Sequence, residues 1–144
     1  MGLSAVVYTN KSNLALDQNR DDIKIVKETG EVYLENTEIS QEYPQAQFVA
    51  IDIRLGNISE IAALRGEVSK ILDNNSILSS RVLYNGSHCG DVTGIDCFGE
   101  LEAELSQIRR ETTDNPPQGL DRFLDAISAL IEVAQSQQNP IVFV

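Results

Sequence analysis

The amino-acid sequence predicts a single α/β or α+β domain, with a mixed or antiparallel sheet of about five to six strands and three helices. Three observations lead there. Short runs rich in β-branched residues stand at both ends, LSAVVYT over 3–9 and IVFV over 141–144. Three longer stretches repeat apolar residues at the 3.6-residue spacing of a helix face. The 144 residues, 42% of them hydrophobic, suffice for one core, and no repeat or low-complexity tract divides them.

Taken in chain order, Leu3 to Thr9 lacks clean polar alternation, as expected of a central strand. Residues 10–22 carry Asn10, Asn13, Asp17, Asn19, Asp21 and Asp22 and read as a loop or an irregular short helix. Ile23 to Glu28 and Glu31 to Glu35 alternate apolar and polar residues around Thr29-Gly30, the pattern of a hairpin with one wet face. After Pro44, Gln47 to Leu55 (QFVAIDIRL) reads as a fourth strand with Asp52 and Arg54 outward. Asn57 fits an N-cap and Glu60 the reciprocal capping position. Ile58, Ile61, Leu64, Val68, Ile71 and Leu72 then define a helix over 58–72.

Asp73 to Ser76 ends that helix, and Ile77 to Tyr84 (ILSSRVLY) predicts a strand, although Leu78, Arg81 and Val82 also fit a helical turn. Asp96 is placed to cap a helix running to about Arg110. Leu101, Leu105 and Ile108 face inward there, and Glu100, Glu102 and Glu104 lie outward or near the positive N-terminal end. Pro116 and Pro117 break the chain before a strongly amphipathic last helix bearing Leu120, Phe123, Leu124, Ile127, Leu130, Ile131 and Ala134. Asn139-Pro140 stops it. An apolar terminus at 141–144 is expected to be tied into the sheet rather than frayed.

Eleven Lys and Arg against 22 Asp and Glu give a net charge of -11. Such a surface repels nucleic-acid backbones and anionic membranes and speeds encounter with a cationic protein. Glu28, Glu31, Glu35, Glu38, Glu42 and Asp52 follow one another with no Lys or Arg between them, as do Asp91, Asp96, Glu100, Glu102 and Glu104. These are either solvated faces or a docking surface for a basic partner. For the second case the binding candidates are Glu35, Glu38, Glu42, Asp91, Asp96, Glu100 and Glu102. No run approaches the roughly 18 apolar residues of a membrane span, and MGLSAVVYTN has no basic n-region, so a soluble cytoplasmic protein is expected. Val6 stands where a myristoylation signal places Ser or Thr. Cys89 and Cys97 are then expected to be reduced, and the acceptor-like Asn85-Gly86-Ser87 carries no glycan.

The segment YNGSHCGDVTG, 84–94, holds the one histidine, one of two cysteines and three glycines. His88 beside Cys89 suggests a thiolate nucleophile, with Asp91 or Asp96 as orienting group, but adjacency in sequence does not bring side chains together and nearby acids oppose thiol ionisation. His88, Cys89 and Cys97, with Asp91 or Asp96 as a further ligand, are chemically suited to zinc, yet the Cys-x2-4-Cys and His-x3-5-His spacings of structural sites are missing. Gly86, Gly90 and Gly94 match neither phosphate-binding glycine pattern and have no Lys or Arg beside them. Twenty-two acids make carboxylate pairs inevitable, so a glycosidase reading finds no discrimination. The plain alternative is a glycine-shaped turn in which His88 and Asp91 form local hydrogen bonds, with or without a role in presenting a surface.

The acidic balance, the size, the MGLSAVVY strand, the GSHCGD loop and the terminal NPIVFV resemble small bacterial immunity-type proteins that neutralise polymorphic toxins. The resemblance implies a cytosolic module that blocks a toxin, often a nuclease, by covering its basic substrate surface. Separately, no motif calls for a cofactor and none is expected. No binding residue is carried over from it. Composition points the same way: an acidic domain without a recognisable catalytic motif fits an interaction module better than an enzyme. The alternative is a small enzyme or ligand-binding domain with His88, Cys89 and Asp91 at a pocket mouth.

Overall fold

A computed structural model describes residues 2–14, 21–35 and 48–144. The fold is α+β: a four-stranded antiparallel sheet, a separate two-stranded hairpin and, among the described residues, three helices longer than two turns. Strand β1 is Gly2–Tyr8, β2 is Ile23–Ile25, β3 is Val32–Leu34 and β4 is Val49–Asn57. Helix α1 is Ile58–Ser69, β5 is Val92–Thr93, α2 is Phe98–Glu111, α3 is Leu120–Gln137 and β6 is Ile141–Phe143. The main sheet runs β4-β1-β6-β5, so the first strand is central, as its unbroken apolar run predicts. No helix among the described residues is long and apolar enough to cross a membrane.

One face of the sheet carries the core. Leu3, Ala5 and Val7 are fully buried and pack with the apolar faces of the three helices. On α3, every position from Leu120 to Ala134 that the helical spacing marks as apolar is buried. The chain then turns through Gln138, which takes a left-handed φ of 56°, and Asn139, whose Nδ2 donates to the Tyr8 carbonyl at 2.8 Å. The terminal apolar residues return into the sheet between β1 and β5, as expected. A smaller cluster of Leu14, Ile23, Val32, Leu34 and Phe48 fills the space under the β2–β3 hairpin. Gly30 in the hairpin turn has a φ of 79° and packs so closely on Asn139 that a Cβ would collide with it.

The first helix starts as its sequence indicates. Asn57 Oδ1 accepts the Glu60 amide at 2.8 Å, and the Glu60 carboxylate accepts from Asn57 Nδ2 at 2.7 Å. Asp96, by contrast, is not a cap. A 3-10 turn at Ile95–Cys97 intervenes, closed by the Cys97 amide on the Gly94 carbonyl, and α2 starts behind Cys97 with no side-chain cap.

The segment Ile77 to Tyr84 corrects the expected strand. Leu78–Val82 forms a π-helical turn, with the Leu83 amide reaching back five residues to the Leu78 carbonyl at 2.7 Å. Its cause lies 26 residues away. Glu104, expected outward or near the positive N-terminal end of its helix, is only 8% exposed, and its two carboxylate oxygens accept the Ile77 and Leu78 amides at 2.9 Å each. Both hydrogen bonds are charge-assisted and satisfy amides that a helix start otherwise leaves without partners. Ile77, Leu78, Val82 and Leu83 thereby all reach the core.

Replacing Glu104 with Ala leaves two buried amides without partners. We expect a loss of about 2–4 kcal/mol in urea unfolding, with Glu104→Gln, which keeps one acceptor oxygen, falling between Ala and wild type. A Glu104→Ala variant as stable as the wild type would show that the carboxylate does not hold the turn.

Candidate functional site

The 84–94 segment runs from the end of the π-helical turn into β5, and the C-terminal strand fastens it. The Gly90 amide donates to the Phe143 carbonyl at 2.7 Å and the Phe143 amide to the Asp91 carbonyl at 2.9 Å, ahead of the Val92–Val142 and Thr93–Ile141 pairs. Gly90 takes a φ of 93°, which a side chain resists. Strand β5 was not foreseen within this loop. Two residues carry no readable alternation, and their pairing depends on a strand about 50 residues later.

His88 is 7% exposed and sits among rings. Its imidazole stacks on Tyr84 at 4.5 Å between centroids and meets Phe143 at 4.7 Å, tilted by 54°. Nε2 lies 2.7 Å from the Val82 carbonyl, which only accepts, so Nε2 is the protonated nitrogen. Nδ1 lies 3.2 Å from Asp91 Oδ2 without the alignment of a hydrogen bond. The Tyr84 hydroxyl donates to that same Asp91 carboxylate. Tyr84, Asp91 and His88 thus form one linked group. Within it, Nε2 is committed to the backbone and the Tyr84 ring covers a face of the imidazole.

The sulfur atoms are placed differently from each other. Cys89 is exposed, whereas Cys97 is buried and accepts from Arg81 Nη1 at 3.1 Å. Burial pushes the Tyr8 phenol above its usual 10.0, and the charges of Glu31 and Asp52 push it the same way. Among the described residues no group of three or more His, Cys, Asp or Glu side chains is placed to hold a metal ion. Of the residues singled out in sequence, the fold brings His88 and Asp91 into contact.

The predicted acidic surface divides into separate places. Glu35, Asp96, Glu100 and Glu102 are exposed, and none of the four forms an ion pair among the described residues; Glu38 and Glu42 lie outside the described residues. Glu100 borders a hollow of about 390 Å³ with Asp73, Asn75 and Glu104, while Glu102, roughly 200° further round the helix, stands on the other flank. Asp91 is exposed but engaged with Tyr84 and His88.

Sequence reading missed a cleft of about 590 Å³ between α1 and the start of α3. Leu55, Ala63 and Leu64 line it, with Glu60, Glu67 and Arg122 contributing charge. One signal was present: residues 60, 63, 64 and 67 share a helix face that is only partly apolar. Arg81 and Arg65 were passed over as well, the first for its contact with Cys97 and the second for its 2.8 Å hydrogen bond to the Tyr84 carbonyl.

His88→Ala would remove two ring contacts and leave the Val82 carbonyl without its partner. The expected cost is about 2–4 kcal/mol in urea unfolding, with His88→Phe recovering part of it through the rings alone. Unchanged stability in His88→Ala would free the imidazole for a role other than structure. No family model, curated protein or solved structure matches this chain.

Proposed function

We propose that the chain is an acidic protein-binding module acting in the cytoplasm, of the immunity type that neutralises a basic toxin such as a nuclease. The supporting observation is the net charge of -11 together with Glu35, Asp96, Glu100 and Glu102, which stand exposed without an ion-pair partner among the described residues. Exposed carboxylates of this kind steer a cationic protein into encounter, and they lose that influence as salt screens them. Three of these residues sit on or beside α2, Asp96 just ahead of it and Glu100 and Glu102 on it, and its own position is fixed from the core side by Leu101, Leu105 and Ile108. A rigid element carrying solvated charge suits recognition without rearrangement. The 84–94 segment contributes support: His88 and Asp91 hold it against β6, and Tyr84 is left 40% exposed on its surface.

The candidate partner is a basic domain encoded beside this chain's gene. Calorimetry with that domain is expected to give a tight complex that weakens at least about tenfold when salt is raised from about 0.05 to about 0.5 M, and further in Glu35→Lys and Glu102→Lys. A neighbouring basic domain that does not bind, or a complex indifferent to salt and to both reversals, would overturn this reading.

A further inference from the structure

Strand β4 is the long edge of the main sheet, and among the described residues β1 is its one strand partner. Which of its backbone groups face outward follows from the hydrogen bonds on the far side of β1. Ser4 exchanges both backbone hydrogen bonds with Val144, at 3.2 and 2.9 Å, so its polar groups point toward β6. Alternation turns those of Ala5 and Val7 toward β4, where they meet Ile53 and Ile51. The N–H and C=O groups of Asp52 and Arg54, which lie between the two register shifts of the β1–β4 pairing, therefore point away from the sheet. The Arg54 carbonyl has a long contact of 3.5 Å from Arg122 Nη2, as an outward-pointing group would.

The side chains of this edge complement themselves. Ala50, Asp52 and Arg54 are exposed on one face, while Ile51 and Ile53 lie half-buried against the core on the other. Two copies of β4 pairing antiparallel about a two-fold axis have few registers to choose from. An axis at residue 52 sets Asp52 directly opposite the partner's Asp52, and one at residue 54 sets Arg54 against the partner's Arg54; like charges directly opposite are unfavourable. An axis at residue 53 sets Asp52 opposite the partner's Arg54 and Arg54 opposite the partner's Asp52. In that register the outward groups of residues 52 and 54 exchange hydrogen bonds across the axis. On the core side, Ile53 meets the partner's Ile53.

We infer that β4 is a homodimerisation edge, with a second copy of this chain as its occupant and the axis at Ile53, giving a continuous eight-stranded antiparallel sheet. The pairing gives β4 a second strand partner where it has one among the described residues, and an unpaired edge strand is a template for indiscriminate association. It uses a surface distinct from α2 and does not depend on the function proposed above.

Sedimentation equilibrium at about 0.15 M salt, where the mutual repulsion of two acidic chains is largely screened, tests it. A species of about twice 15.9 kDa is expected at high protein concentration. Asp52→Arg sets like charges opposite each other in the same register and should weaken the dimer at least about tenfold, and the swap Asp52→Arg with Arg54→Asp should restore it. Hydrogen exchange on the unaltered protein gives a second readout: the Asp52 and Arg54 amides should slow as concentration rises, while Ile51 and Ile53, already bonded to β1, do not change. A wild type that stays monomeric, a dimer untouched by Asp52→Arg, or a swap that fails to restore it would overturn the inference.

Discussion

The insertion of the last residues between the first strand and the loop strand is the constraint on which the rest of the structure depends. Strand β6 is only three residues long, yet Ile141, Val142 and Phe143 are each at most 3% exposed, and the strand is paired on both edges, to β1 and to β5. On one side they complete the environment of β1. On the other they supply β5 with its sheet partner, and Phe143 closes the ring cluster around His88. The route into this position is fixed upstream, because α3 must end in a left-handed turn at Gln138 and Asn139 must reach the Tyr8 carbonyl. Helix, turn, terminal strand and loop therefore form one connected support.

That support bears on what the histidine loop does. A loop with a histidine, a cysteine and three glycines has the composition of a reaction centre, but its geometry directs these groups inward or apart. The imidazole donates to a backbone carbonyl, Asp91 is shared between His88 and Tyr84, and Cys89 stands exposed. Such an arrangement holds a segment rigid, and rigidity is what a surface for recognising another protein needs. The acidic residues on and beside α2 are positioned by the same principle, since the buried side of the helix fixes the exposed side.

Local signals in the sequence were read well and distant ones were not. The central β1, the hairpin around Gly30, the Asn57 cap and the apolar face of α3 depend on neighbouring residues and on a fixed period, so they are visible in a single chain. The run ILSSRVLY was ambiguous because its β-branched and apolar content suits a strand. The deciding contribution came from Glu104, in a different helix. Glu104 itself could have been suspected, because it falls on the same i, i+3, i+4, i+7 face as Leu101, Leu105 and Ile108, and a charge there needs partners. Asp96 misled for a simpler reason: its residue type suits a cap, but the 3-10 turn moves the helix start past it. For the candidate site, sequence identified His88 and Asp91 as neighbours. It did not identify Tyr84 or Phe143, which come from the stacked rings and the returning terminus.

The most direct test of this account is thermal unfolding of the chain lacking residues 141–144. Burial of three large apolar side chains contributes roughly 1.5–3 kcal/mol each, and in a protein of this size each kcal/mol moves the midpoint by about 2–4 °C. The account predicts a fall of at least about 10 °C, or failure to fold, with loss of protection at the Gly90 amide. A truncated chain whose melting curve superimposes on that of the full chain would contradict it.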